Sequence, residues 1–128
     1  MILDTSAIIA VLFREPAAAM LLERMRATSV RAAGTPTLVE TGIVVTARAG
    51  EPAIGWLHRF LQAFDVVEIP FEGPHWQAAV TAYAAFGRGR HPAGLNFGDC
   101  LTYATAKVAG EPLLCLGDDF RQTDLDLA

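Results

Sequence analysis

The apolar positions of this chain alternate between short solid runs and longer helical stripes. Ile2 and Leu3 open a buried strand that ends at Asp4, with Thr5 and Ser6 as turn and cap. A helix fits Ala7 to Phe13. Pro16 suits the first turn of a second helix reaching about Ala27, with Ala18, Leu21, Leu22 and Met25 on one stripe. Ser29 to Ala33 reads as a second strand closed by Gly34. Thr35 and Pro36 then start a helix that runs to Arg48 and stops at Gly50.

Another helix begins near Glu51 and Pro52 and carries the stripe Leu57, Phe60, Leu61 and Phe64. Val66 to Ile69 is a clear strand. Pro74 opens a helix predicted to bury Trp76, Ala79, Val80, Tyr83 and Phe86 and to end at Gly87. Gly87 to Gly94 is a glycine-rich loop with Arg88, Arg90 and His91. Asn96 caps a helix from Phe97 to about Ala109, closed by Gly110 and Pro112. Leu113 to Leu116 is a short strand, Asp118 and Asp119 lie in a turn, and Thr123 to Leu127 suits a short edge strand. Strands alternating with helices in this way predict an α/β fold with a parallel sheet covered on both faces.

Length and charge narrow the picture. The 128 residues suit one domain, residues 1–128, and 52% are apolar, enough for a sizeable core. No apolar run approaches the roughly 18 residues of a membrane helix. Asp4 sits where a secretion signal wants positive charge, and Cys100 and Cys115 have no disulfide or metal-knuckle spacing; both predict a reducing cytoplasm. Ten Lys plus Arg against 14 Asp plus Glu give a net charge of -4, which argues against a broad basic surface for nucleic acid. It leaves room for nucleic acid as a substrate, because a divalent ion can bridge carboxylates to phosphate.

The positions of the acids then become the chief signal. Ligands of open α/β sheets collect beyond the carboxyl ends of the strands. Asp4 ends the first strand, Asp118 and Asp119 follow the strand Leu113 to Leu116, and Asp99 lies in the first turn of a helix after a loop. Glu40 leaves a helix beside Ile43, Val44 and Ala47, with no basic partner four residues on. Each acid alone has an ordinary use: Asp4 as a helix cap, Asp99 against a helix dipole, Glu40 in solvent, the Asp pair in a turn. Converging together, they would repel one another without cations, and divalent ions held by oxygen ligands relieve that repulsion.

Four segments carry a family resemblance: Met1-Ile2-Leu3-Asp4-Thr5-Ser6-Ala7-Ile8, the Glu40 helix, Leu95-Asn96-Phe97-Gly98-Asp99-Cys100-Leu101-Thr102-Tyr103-Ala104, and Gly117-Asp118-Asp119-Phe120. Together, and in this order, they resemble the PIN-domain ribonucleases, and more narrowly the VapC-type toxins of bacterial toxin–antitoxin pairs. The resemblance implies a three-layer α/β/α fold around a short parallel sheet of four or five strands. It also implies an endoribonuclease dependent on Mg²⁺ or Mn²⁺, an antitoxin that covers the active site, and a homodimer. The acids carried over are Asp4, Glu40, Asp99 and a fourth near Asp118, with the Ser6 hydroxyl supporting the first. Many relatives place an acid where this chain has Gly117, so the fourth acid is Asp118, with Asp119 as the alternative.

Phosphodiester hydrolysis needs a deprotonated water, charge compensation on the phosphate oxygens and a stabilised leaving oxygen, all of which hard cations supply. In that scheme Asp4 and Asp99 bind metal, Glu40 binds through water or orients the attacking water, and Ser6 and Asn96 hold the acids in place. Arg88 and Arg90 are candidates for phosphate contacts, against a plain solvated loop. His58 and His75 are expected to be structural or solvent-facing. Trp56 and Trp76 are expected in core or interface packing. A receiver-type phosphorylation domain is disfavoured by the single acid after the first strand and by Lys107 within a helix. A haloacid-dehalogenase-type phosphatase needs a second Asp where Ser6 stands. The remaining alternative is a PIN-fold module that binds metal and a protein or RNA partner without useful turnover.

Overall fold

Side chains alternate across even the shortest strands, and that alternation builds the layers. In the computed structural model, which describes residues 1–128, β1 (Ile2–Leu3), β2 (Ala32–Gly34), β3 (Val67–Ile69) and β4 (Leu113–Leu114) form one parallel sheet. The strand order is β3-β2-β1-β4. Ile2, Ala32 and Leu113 face one side and pack with Ala79, Ala82, Leu95, Tyr103 and Phe120. Leu3, Ala33 and Leu114 face the other and pack with Ile8, Leu21, Met25, Leu57 and Phe60.

Six helices supply the outer layers: α1 (Thr5–Leu12), α2 (Ala18–Ala27), α3 (Thr35–Ala49), α4 (Ile54–Ala63), α5 (Gly73–Phe86) and α6 (Phe97–Ala109). The result is the α/β/α sandwich expected from the chain, with four strands. No helix is long and apolar enough to cross a membrane.

Several boundaries move for identifiable reasons. Asp4 caps α1 directly, so the helix starts at Thr5 rather than Ala7. Residues 29–31 leave the predicted second strand because the Arg31 guanidinium gathers the carbonyls of Met25, Thr28 and Phe64, at 2.9, 2.7 and 2.6 Å. Pro16 lies in the turn before α2, not in its first turn. Glu51–Ala53 forms a separate 3₁₀ turn ahead of α4. The last strand is reduced to one bridge between Leu113 and Leu127, preceded by a 3₁₀ turn at Asp119–Gln122.

The largest correction concerns α5. Its buried residues are His75, Ala79 and Ala82, while Trp76, Val80 and Tyr83 are 56%, 61% and 47% exposed. Small side chains let α5 lie close against α6, and the bulky stripe turns outward. His75 is structural: its Nδ1 accepts from the Glu72 N–H at 3.1 Å and its ring lies against Phe71. The Gly87–Gly94 loop is held rather than loose, by a bridge between Gly87 and Leu95 and by buried Ala93 and Leu95.

Candidate active site

β1 lies between β2 and β4, so the chain leaves it to one side and returns on the other. Such a switch point, beyond the strand ends, is the usual ligand position in sheets of this kind. The Asp4 N–H donates to the Leu114 carbonyl at 3.0 Å, which aligns the ends of β1 and β4. Buried Asp4 then accepts from the Ser6 N–H at 3.0 Å and from the Ser6 hydroxyl at 2.5 Å. That hydroxyl accepts in turn from the Leu116 N–H at 3.0 Å. Ser6 thus ties the first acid to the chain leaving β4.

Asp99 is fixed by a reciprocal cap. Its N–H donates to Asn96 Oδ1 at 2.9 Å, and its Oδ2 accepts from the Asn96 N–H at 3.0 Å. Burial pushes the Asp99 carboxyl above its ordinary value of 3.8. The Asn96 hydrogen bond opposes this, and the charges of Asp4, Asp119 and Glu40 push it further up. Glu40 stands on the exposed part of α3, and its carboxylate rests on Gly98. A β-carbon at Gly98 would collide with Glu40 Oε2, so the bare glycine lets the third acid lie against the first turn of α6.

The turn after β4 separates its two acids. Asp119 is among the charges acting on Asp99 and on Cys115. Asp118 has an 83% exposed side chain and meets Arg121 Nε at 3.4 Å. Burial, then the Asp4 charge, push the Cys115 thiol up to about 11, so it stays neutral at physiological pH. Both cysteines are free thiols.

None of Asp4, Glu40, Asp99 and Asp119 forms an ion pair with a basic side chain. The amino-terminal ends of α1 and α6 meet Asp4 and Asp99 and offset part of their charge. No three His, Cys, Asp or Glu side chains converge tightly enough to enclose an ion on their own. An open set of hard oxygen donors suits an ion such as Mg²⁺, which takes one or two carboxylates and keeps several waters. Arg88 and Arg90 are exposed, and the Arg90 guanidinium lies over the Tyr83 ring at 5.3 Å. Beside Glu40, a cleft of about 570 Å³ is lined by Val39, Ile43, Phe97 and Leu101 among others. Gly98 escaped the sequence reading, although a glycine in a first helical turn directly before an acid was a usable signal.

Known proteins resemble this chain along nearly its whole length. The chain matches the PIN domain over residues 1–125. It is 43% identical to a ribonuclease VapC of Mycolicibacterium smegmatis, over 98% of this chain and 97% of that one. Identity is also 43% to ribonuclease VapC30 of Mycobacterium tuberculosis, over 98% and 95%. The chain therefore belongs to the PIN-domain family. Within it, the likeness is to the VapC ribonucleases.

Solved structures agree on the fold. VapC20 of Mycobacterium tuberculosis, a toxin that cleaves the sarcin–ricin loop, aligns with a TM-score of 0.79 at 17% identity, over 99% of this chain and 97% of that one. VapBC2 of Rickettsia felis, bound to a DNA fragment from its promoter, aligns with a TM-score of 0.79 at 18% identity, over 99% and 96%.

Proposed function

We propose that this chain is a metal-dependent endoribonuclease, the toxin of a toxin–antitoxin pair, acting in the cytoplasm as a single domain. One observation supports the reading: Asp4, Glu40 and Asp119, each on a different element, lie near enough to Asp99 to push its carboxyl up, and none of the four is paired with a basic side chain. Asp4 and Asp99 are the groups suited to hold Mg²⁺ or Mn²⁺, with Asp119 as the fourth acid in preference to Asp118. When bound, the ion supplies a polarised water and a counter-charge for the phosphate oxygens. Glu40 would bind the ion through water or orient the attacking water. Ser6 and Asn96 keep Asp4 and Asp99 aimed into the site, and Arg88 and Arg90 are candidates for holding the RNA backbone.

Two partners follow from the surface and the relatives. The antitoxin covers the acid site. A second copy of the chain covers the apolar face on which Val39, Ile43, Trp76, Val80, Tyr83 and Phe97 are all exposed. That face is continuous, because Phe97 lines clefts shared with both α3 and α5. Phe97→Glu is expected to convert a dimer to a monomer in light scattering.

The direct test incubates the purified protein with structured RNAs in Mg²⁺ or Mn²⁺, then with EDTA. Expected is cleavage that EDTA stops and that Asp4→Asn or Asp99→Asn lowers by at least about a hundredfold. Cleavage at full rate in both variants overturns the site. Metal binding without cleavage of any RNA favours the non-catalytic module.

A further inference from the structure

Beneath the acids lies a set of buried hydroxyls that the reaction scheme does not use. Thr5, Thr37, Thr41 and Thr102 are 8%, 3%, 0% and 3% exposed. Thr37 Oγ1 and Thr102 Oγ1 are 3.1 Å apart and join α3 to α6. Thr5 Oγ1 donates to the Thr37 carbonyl at 3.4 Å and joins α1 to α3. Thr41 Oγ1 donates to the same carbonyl at 2.8 Å and approaches Thr5 Oγ1 at 3.4 Å. No buried side-chain oxygen or nitrogen is left without a partner.

The positions of these threonines track the acids. Thr5 follows Asp4, Thr37 and Thr41 flank Glu40, and Thr102 lies one turn past Asp99. Each acid-bearing helix end therefore sends a hydroxyl into one shared network. A valine would fill the same volume as threonine without a polar atom to satisfy, so packing alone does not call for hydroxyls here. Apolar contact is also non-directional and lets helices slide. A hydrogen bond fixes both distance and direction.

A second feature enforces the same closeness. A β-carbon at Gly34, where β2 enters α3, would stand 2.5 Å from Thr105 Oγ1 and 3.2 Å from Thr105 Cγ2 of α6. Only a glycine lets the start of α3 sit this near α6.

We propose that Thr37 is a positioning residue. Its hydroxyl and carbonyl join α1, α3 and α6 and thereby set the spacing at which Asp4, Glu40 and Asp99 present their carboxylates. This rests on the nuclease reading above, in which those acids hold a divalent ion against the phosphodiester. Such spacing must hold to within about 0.5 Å for a working site. The acids repel one another, so a loosened α3–α6 contact opens the cluster first.

The test compares Thr37→Val, which keeps the shape and loses the hydroxyl, with Thr37→Ser, which keeps the hydroxyl and loses a methyl. Asp99→Asn is the control for the site itself. Three quantities are read: Mn²⁺ affinity by calorimetry without RNA, kcat and KM on an RNA that the wild type cuts, and the melting curve. Thr37→Val is expected to weaken Mn²⁺ binding about tenfold and lower kcat by about 10- to 100-fold, with KM changed less than about twofold. Thr37→Ser is expected to recover both values to within about threefold, even if it melts earlier.

Thr37→Val with wild-type Mn²⁺ affinity and kcat overturns the proposal, as does a Thr37→Ser variant impaired equally. Should Thr37→Val fail to fold, Thr102→Val cuts the same bond from α6 and is read against the same expectations. A wild type that matches Asp99→Asn in both Mn²⁺ binding and cleavage overturns the nuclease reading, and the positioning role with it. A wild type that binds and cleaves beside an unaffected Thr37→Val sinks the positioning role alone.

Discussion

The turn after β1 and the turn after β4 each place an acid at the same edge of the sheet, by different physical means. After β1, Asp4 is buried, caps α1, and takes two hydrogen bonds from Ser6, whose hydroxyl is itself bonded to Leu116. After β4, Gly117 to Asp119 is exposed, and Asp118 leans on Arg121 through one surface ion pair. One side of the site is built from short, sheltered bonds, the other from screened charge. A pair at the surface contributes little. Under the proposed function, the rigid side would fix the position of the reaction centre and the exposed side would adapt to what enters.

The sharpest way to break this contrast is to remove the shared hydroxyl. Ser6→Ala strips Asp4 of one bond and leaves the Leu116 N–H without its acceptor. It is expected to cost about 1–3 kcal/mol in chemical denaturation. Cleavage should fall by about 10- to 100-fold. Ser6→Thr keeps the hydroxyl and should retain most of both. Equal loss in the two variants would place the effect in packing rather than in the bond.

Gly98→Ala separates stability from activity. Alanine is the better helix former by up to about 1 kcal/mol, so the melting temperature should hold or rise. The new methyl pushes the Glu40 carboxylate off α6, the far end of a flexible side chain yielding before the backbone does. Cleavage is expected to fall about tenfold. Stability and cleavage falling together would mean that the backbone moved instead.

The exposed turn can then be sorted residue by residue. Asp119 acts on Asp99, whereas Asp118 faces Arg121 and water. Asp119→Asn is expected to lower cleavage by about three- to tenfold, and Asp118→Asn by less than about twofold. The reverse order in a single-turnover assay would return Asp118 to the fourth position.

The same contrast explains what was legible in the sequence. Asp4 and Asp99 could be found because each sits in a local signature, an acid closing an apolar run and an Asn three residues before an Asp. The layer order could be read because Ile2-Leu3 and Leu113-Leu114 are short solid runs. The orientation of α5 could not. Trp76, Val80 and Tyr83 form as regular a stripe as His75, Ala79 and Ala82, and periodicity does not say which of two apolar faces turns inward. Close approach to α6 selected the alanines, a tertiary fact. Val67 lies in the strand expected there and is 52% exposed at the sheet's edge. The buried threonines were silent because a sheltered hydroxyl and a solvated one look alike in sequence.

The mildest prediction concerns the tail beyond the exposed turn, which charge also holds. Asp124 accepts from the Tyr103 hydroxyl at 2.5 Å and from Lys107 Nζ at 2.7 Å, tying the carboxyl-terminal segment to α6. The Lys107 and Tyr103 bonds hold the Asp124 carboxyl below its ordinary value of 3.8. A carboxyl lowered in the folded state stabilises above its unfolded value and loses that contribution as pH falls through its folded one. Lys107 and Asp124 are about half exposed, so screening keeps the gain under about 1 kcal/mol. Asp124→Asn should therefore cost a little at pH 7 and progressively less as pH falls below 3.8, and its cost should shrink in high salt. The Ser6→Ala cost, carried by a hydroxyl beside a buried carboxylate, should resist salt. Equal salt sensitivity of the two variants in denaturation curves would erase the distinction between a sheltered and an exposed side of the site.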